Sequence, residues 1–259
     1  MAEMTEYKPG TPSWVDLGTP DLEKAIAFYE GLFGWKANRS EDPAAGGYVM
    51  FTLDGKNVAG AAPLMAEGQP PAWSTYVSVI DADATAARAI ANGATVFVEP
   101  IDVLDVGRLS VFADTEGAVV SCWEPRAHKG ADVVNEPNTY TWSELWSRDP
   151  HKAKEFYPGV FGWDAIDHGE GGPHGYTEWQ VEGRSIAGML QMGPEIPAEV
   201  PPHWVVYFAV ADTDAAVAKA NELGATTLMP PTDIEPGRFA IVSDPTGANF
   251  AVIKMKQDH

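Results

Sequence analysis

Pro12-Ser13-Trp14-Val15-Asp16-Leu17-Gly18-Thr19-Pro20-Asp21, followed by Phe28-Tyr29 and Phe33-Gly34-Trp35, decides the fold, because the chain contains this stretch twice. Trp142, Asp149, Phe156-Tyr157 and Phe161-Gly162-Trp163 repeat Trp14, Asp21, Phe28-Tyr29 and Phe33-Gly34-Trp35 at a constant offset of 128, and Gly188 repeats Gly60. Further on, Trp204, Tyr207 and Asp212 repeat Trp73, Tyr76 and Asp81 at 131, while Gly237-Arg238, Asp244 and Gly247 repeat Gly107-Arg108, Asp114 and Gly117 at 130. Small drifts of this kind are what loop insertions leave in a tandem duplication. The polar stretch Arg126 to Asn138 joins the copies, which predicts domains at 10–125 and 139–255 with a linker at 126–138.

Each half contains a weaker repeat of its own. Trp14 to Leu17 reads as a strand, and Asp21 caps a helix whose apolar stripe is Leu22, Ile26, Tyr29 and Phe33. Asp149 is followed by Pro150, a favoured first helical residue. Tyr76 to Val79 leads through Asp81 or Asp83 into a helix over Ala84 to Asn92, stopped by Gly93. Tyr207 to Val210 leads through Asp212 or Asp214 into a helix ending at Leu223, stopped by Gly224. Alternating segments such as Tyr48 to Leu53 and Leu109 to Phe112 follow, so the order is βαβββ, four times, an α+β chain.

The formal charge of −20 over 259 residues argues against nucleic acid, whose phosphates need basic patches, and is compatible with a cationic ligand or a plain solvated surface. The single cysteine, Cys122, excludes an internal disulfide and a Cys-based metal cage. No apolar run reaches the roughly 18 residues of a membrane span, and Met1 to Gly10 is polar, so a cytoplasmic protein is expected.

The run Trp14 to Leu17, Asp21, Phe28-Tyr29 and Phe33-Gly34-Trp35, with Asp114-Thr115-Glu116-Gly117 and its echo Asp244-Pro245-Thr246-Gly247, resembles the vicinal-oxygen-chelate superfamily. That superfamily includes glyoxalase I, extradiol dioxygenases, and the fosfomycin and bleomycin resistance proteins. The resemblance runs from Gly10 to Lys254 and looks most like fused two-domain glyoxalase-like proteins of actinobacteria. It implies four βαβββ units in two curved mixed sheets with helices on the outer face, and a monomer whose own halves supply the pseudo-twofold pair.

The family usually grips a divalent metal through His or Gln in the first strand of a unit and Glu in the last. The strand ligand normally lies seven residues before the helix cap. Here those places hold Trp14, Ser74, Trp142 and Val205. The Glu normally lies four residues after the glycine of the Asp-x-x-Gly turn, where this chain has Ser121 and Ala251. None of these is a good ligand, so neither a metal nor another cofactor is expected. The histidines are expected at the surface, His128 in the linker and His151, His168, His174 and His259 at a helix start, in loops and in the tail; His203, before a strand, stands nearest a cavity rim.

Because strand side chains alternate, Trp14 and Asp16 face the cavity while Val15 and Leu17 pack on helices, and Trp142 and Glu144 repeat this. The same alternation places Tyr48, Met50 and Thr52 on the concave face with Ser74, Tyr76, Ser121 and Trp123. Their counterparts are Tyr176, Glu178, Gln180, Val205, Tyr207, Ala251 and Ile253. Indole and phenol rings stack on planar ligands and a carboxylate attracts a cation or accepts a hydrogen bond. The expected ligand-binding residues are therefore Trp14, Asp16, Tyr48, Met50, Ser74, Tyr76, Ser121, Trp123, Trp142, Glu144, Tyr176, Glu178 and Tyr207. The leading expectation is metal-independent binding, by sequestration or as drug tolerance, of a planar or hydrophobic small molecule. The rival is a glyoxalase-type lyase, isomerase or hydroxylase with Asp16 or Glu144 as general base. A third reading, an interaction protein, would have cavities closed around Trp14 and Trp142. Arg108 and Arg238 read as structural ion pairs or, less simply, as anion contacts.

Overall fold

The structure, a computed structural model, describes residues 3–66, 68–169 and 175–256; His174 and His259 lie outside these. The first unit is β1 (Pro12–Thr19), α1 (Leu22–Phe33), β2 (Lys36–Arg39), β3 (Val49–Leu53) and β4 (Lys56–Pro63), with a short helical turn at Pro43–Ala45. The second is β5 (Ala72–Ser78), α2 (Ala82–Ala91), β6 (Thr95–Val103), β7 (Gly107–Ala113) and β8 (Val119–Pro125). The third is β9 (Tyr140–Ser147), α3 (Pro150–Phe161), β10 (Asp164–Asp167), β11 (Tyr176–Val181) and β12 (Arg184–Gln191). The fourth is β13 (His203–Ala209), α4 (Thr213–Glu222), β14 (Thr226–Ile234), β15 (Gly237–Ser243) and β16 (Asn249–Met255).

All four helices start on an aspartate. Asp21, Asp81, Asp149 and Asp212 accept from the backbone N–H of Lys24, Ala84, His151 and Ala215. The neighbouring Asp83 and Asp214 instead sit in the first turn and pair with Arg108 and Arg238 at 2.7 Å. Those arginines therefore clamp helix to strand rather than holding an anion. α2 begins at Ala82, two residues before the Ala84 that the sequence suggests.

Each half forms one eight-stranded sheet, ordered β2-β3-β4-β1-β5-β8-β7-β6 and β10-β11-β12-β9-β13-β16-β15-β14. Each concave face is therefore built within a half. The cores are not. Val15, Leu17, Tyr29 and Phe33 of the first unit pack with Val206, Phe208, Val217 and Phe250 of the fourth. Val77, Phe112 and Val120 of the second unit pack with Tyr157, Trp163 and Trp179 of the third. The helices lie on the outer face of each sheet, and the two outer faces meet each other.

Buried hydrogen bonds fasten this cross-half packing. The Trp73 indole donates to the Tyr29 oxygen at 2.9 Å, and the Tyr29 hydroxyl donates to Asp244 at 2.9 Å. Trp204 donates to Tyr157 at 2.9 Å, and Tyr157 donates to Asp114 at 2.8 Å. Trp35 donates to the Asn138 carbonyl and Trp163 to the Gly10 carbonyl, so each half secures the entry to the other. Gly10 and Asn138, equivalent in the repeat, both have positive φ, 86° and 68°. The motif residues that carry the family resemblance are thus mostly the bolts between halves.

Candidate functional site

On the first concave face the Trp14 indole donates to the Tyr48 oxygen at 2.8 Å, and the Tyr48 hydroxyl donates to Asp16 Oδ2 at 3.3 Å. Tyr76 donates to the same oxygen at 3.0 Å, and Ser121 bonds to Tyr76. Strand register brings them together: Asp16 stands opposite Gly60 on one side and Ser74 on the other, and Tyr76 stands between Trp14 and Ser121. A side chain at Gly60 would collide with the Tyr48 ring, so the glycine is the floor on which the phenol lies. Burial pushes the Asp16 carboxyl up to about 6, against the opposing effect of its two tyrosine hydrogen bonds.

The second face repeats the arrangement. Trp142 donates to the Tyr176 oxygen at 3.3 Å, the Tyr176 hydroxyl turns to Glu144, and Gly188 is the floor beneath Tyr176. Glu144 accepts from Tyr207 at 2.9 Å and from the Trp146 indole at 2.8 Å. Burial raises the Glu144 carboxyl as well, and it holds the Tyr207 phenol well above its ordinary range. Around this group Val205, Ile241, Ala251, Ile253 and Met192 form an apolar cluster, with Ile196 and Val200 of the 192–202 segment packed on it. Arg148 holds that segment through the carbonyls of Ile196, Pro197 and Val200.

Not every expected lining residue joins these groups. Glu178 accepts from Gln180 and Ser185 and meets exposed His168 at 3.1 Å, bonds that lower its carboxyl. Met50 lies opposite Gly60, and a register irregularity after Phe51 turns Thr52 to bond Asn38 instead. Trp123 lies over Gly107 and donates to the His128 carbonyl at 2.9 Å. His128 itself corrects the surface expectation: its ring meets the Trp14 indole edge-on, with centroids 4.4 Å apart, because residues after β8 fold back over the first face. His203 stands 5.6 Å from the Trp146 ring, its Nδ1–H donating to the Pro201 carbonyl. Trp146 escaped the sequence reading, although extending the alternation Trp142, Glu144 by two residues reaches it. A separate cavity of about 340 Å³ beside the start of α3 is lined by Arg148, His151, Lys154, Asp167 and Tyr176, and Lys154 and Asp167 pair with each other there at 2.6 Å.

The family model for the Glyoxalase/Bleomycin resistance protein/Dioxygenase superfamily matches residues 11–147 and 139–252. The chain belongs to that superfamily. "Putative glyoxylase CFP32" of Mycobacterium tuberculosis is 40% identical over 259 residues, covering 98% of both chains. "Anthracycline biosynthesis protein DnrV" of Streptomyces peucetius is 38% identical over 272 residues, covering 99% of this chain and 97% of the relative. Among solved structures, the Mn(II)-bound glyoxalase from Novosphingobium aromaticivorans is similar with a TM-score of 0.66 at 18% identity, covering 95% of this chain and 82% of the other. The 2,3-dioxygenase LapB from Pseudomonas sp. KL28 gives 0.65 at 14%, covering 96% and 93%. These two likenesses are of fold.

The superfamily's divalent metal does not fit the side chains at its usual positions. Trp14, Ser74 and Ser121 stand there on the first face, and Trp142, Val205 and Ala251 on the second. Among the described residues no three His, Cys, Asp or Glu side chains are grouped to hold an ion. The nearest carboxylates, Asp16 and Glu144, accept from phenol and indole donors, Asp16 through Oδ2 and Glu144 through Oε1.

The raised Asp16 carboxyl has a measurable consequence. Its unfolded value is about 3.9, so between pH 4 and 6 the folded chain binds more protons than the unfolded one. This contribution to stability therefore grows as pH falls through 6. Asp16→Asn removes the burden of the buried charge while keeping an acceptor for Tyr76. Urea unfolding should find the variant more stable by about 1–3 kcal/mol above pH 6.5 and level with the parent near pH 4. Equal stabilities at all pH values would contradict the placement of this carboxyl.

Proposed function

We propose that the protein binds a planar, hydrophobic small molecule without a metal, against an aromatic concave face, and directs a hydroxyl or ammonium of that molecule at a buried carboxylate. The observation that carries this is the chain of tryptophan, tyrosine and carboxylate, built once from Trp14, Tyr48 and Asp16 and again from Trp142, Tyr176 and Glu144. Ring faces recognise a flat ligand, and a carboxylate in a dry site favours a donor over an isosteric apolar group. The anthracycline biosynthesis relatives give the chemical class to try first, a polycyclic quinone bearing phenolic hydroxyls.

Quinizarin, a planar dihydroxyanthraquinone, tests this by quenching the nine tryptophans. Saturable quenching that survives EDTA dialysis is the expected result. Quenching that disappears with EDTA and returns with Mn²⁺ would overturn metal independence, and none at all would overturn the ligand class. A second reading, an isomerase or lyase, draws on the Asp16 carboxyl at about 6, which suits a general base near neutral pH. Conversion of a bound quinone or aldehyde, abolished in Asp16→Asn, would favour it.

A further inference from the structure

We propose that the first concave face is occupied by the chain's own imidazole, His128, so that an external ligand is taken by the second face alone. The second clause rests on the function proposed above; the first stands without it.

Residues 126–134 form a strap across the first face. The backbone N–H groups of Arg126 and His128 donate to the Val106 carbonyl, Ala131 donates to Ser13 of β1, and Asp132 exchanges bonds with Asn57 of β4. The strap thus reaches from the β6–β7 turn over the central strand to the opposite side of the sheet. The N-terminal segment fastens it from outside, through Met4 N–H to the Asp132 carbonyl and the Tyr7 hydroxyl to the Ala131 carbonyl, each at 2.7 Å. Ala131 and Val133 are buried under it.

The strap delivers the His128 ring between two indoles. It meets Trp14 at 4.4 Å and 85°, and Trp123 at 5.8 Å and 68°. This is the edge-to-face geometry by which a protein holds an aromatic ligand. The Nε2 atom is buried and has no hydrogen-bond partner. A satisfied structural histidine would not leave it so, because an orphaned buried nitrogen is destabilising. The ring sits between the two indoles as an inserted aromatic ligand would.

The second face differs in what covers it and in what lines it. The chain leaves β16 as it leaves β8, Lys256 N–H bonding to Pro236 as Arg126 N–H bonds to Val106. The cover over the cluster is instead the 192–202 segment, which puts Met192, Ile196 and Val200 on it. The lining is more apolar, Val205 and Ala251 replacing Ser74 and Ser121. Apolar side chains contributed by a loop can be displaced by an apolar ligand without leaving polar groups unpaired. Met192, Ile196 and Val200 can swing aside with the Arg148 bonds to their segment intact, whereas His128 is tied at its own backbone N–H to Val106 and is wedged between two indoles. The ligand class is therefore a flat, largely apolar ring system with a hydroxyl that meets Glu144.

Two measurements on the full-length chain test this, using imidazole and quinizarin as probes. His128→Ala vacates the slot, so free imidazole should raise the melting temperature of this variant and leave the parent unchanged. Lack of that rescue overturns the occupancy, whatever quinizarin does. If His128→Ala does not fold, recovery of folded protein by imidazole during refolding is the supporting result, and no recovery is the overturning one. Quinizarin should bind the parent at one equivalent and His128→Ala also at one, because the strap still covers the first face when its imidazole is removed. Tyr207→Phe should weaken the parent's single site about tenfold, and Tyr76→Phe should leave it unchanged. Two equivalents on the parent, or the reverse response of Tyr207 and Tyr76, overturns the division between faces. Imidazole rescue without any quinizarin binding leaves the occupancy standing and removes the proposed ligand class.

Discussion

Asp244→Ala is expected to lower the unfolding free energy by about 3–5 kcal/mol, measured by urea denaturation at neutral pH. Asp244 is 4% exposed and accepts four hydrogen bonds, from the Tyr29 hydroxyl, the Thr246 and Ala248 backbone N–H groups and the Thr246 hydroxyl. Truncation strands the Tyr29 hydroxyl and the Ala248 N–H in a dry core at once. Each stranded group costs about 1–3 kcal/mol, far more than a hydrogen bond is worth net. Tyr29→Phe is the comparison: it leaves the turn around Asp244 intact, removes one of the four bonds and leaves the Trp73 indole N–H without its acceptor, and should cost about 1–3 kcal/mol. Because Tyr29 and Asp244 lie in different halves, the loss should appear as one cooperative transition at lower urea rather than as separate melting of one half. A variant within 1 kcal/mol of the parent would mean that water or rearrangement satisfies these groups.

Gly188→Ala is expected to give the largest loss of ligand binding, at least about tenfold in affinity. A methyl group at this position would overlap the Tyr176 hydroxyl and stand 3.0 Å from the Trp142 indole nitrogen. Strand backbone on both sides fixes Gly188, which pairs with Glu178 in β11 and Glu144 in β9, so the phenol must move. Moving it breaks the link between indole and carboxylate that shapes the second face. Quinizarin titration reads the effect, and the double variant with Tyr176→Phe should be non-additive, because the collision and the hydroxyl belong to the same contact. Gly60→Ala makes the same collision with Tyr48 on the first face, where His128 already sits, and should leave quinizarin affinity unchanged. Equal losses in both glycine variants would mean that both faces take the ligand.

Much of this was legible in the amino-acid order. The duplicated strand, Trp14-Val15-Asp16-Leu17 and Trp142-Ser143-Glu144-Leu145, and the Phe-Gly-Trp helix exits are local signals that formed where they were read. Alternation likewise put Trp14 with Asp16 and Trp142 with Glu144 on one face. What escaped is non-local. Tyr29 reads as one apolar position in a helical stripe, and nothing near it in sequence announces an aspartate 215 residues away. Gly60 and Gly188 were visible as a repeated pair, but only the fold shows a tyrosine lying on each. His128 sits in a polar stretch with no periodicity, and linkers ordinarily run over the surface. Its burial follows from the strap's hydrogen bonds to Ser13 and Asn57, which no local pattern encodes.

The packing of units across the two halves has a consequence for how such a chain is inherited. The seam of the gene duplication and the seam of the hydrophobic core do not coincide: the former runs between units two and three, the latter joins one to four and two to three. Either copy expressed alone would expose two unfinished apolar surfaces and would need a second polypeptide to cover them. A single copy of this kind would need a second copy to cover those surfaces, and the fused chain carries both. With both copies in one chain the two faces need not match, and Ser74 and Ser121 on the first stand against Val205 and Ala251 on the second.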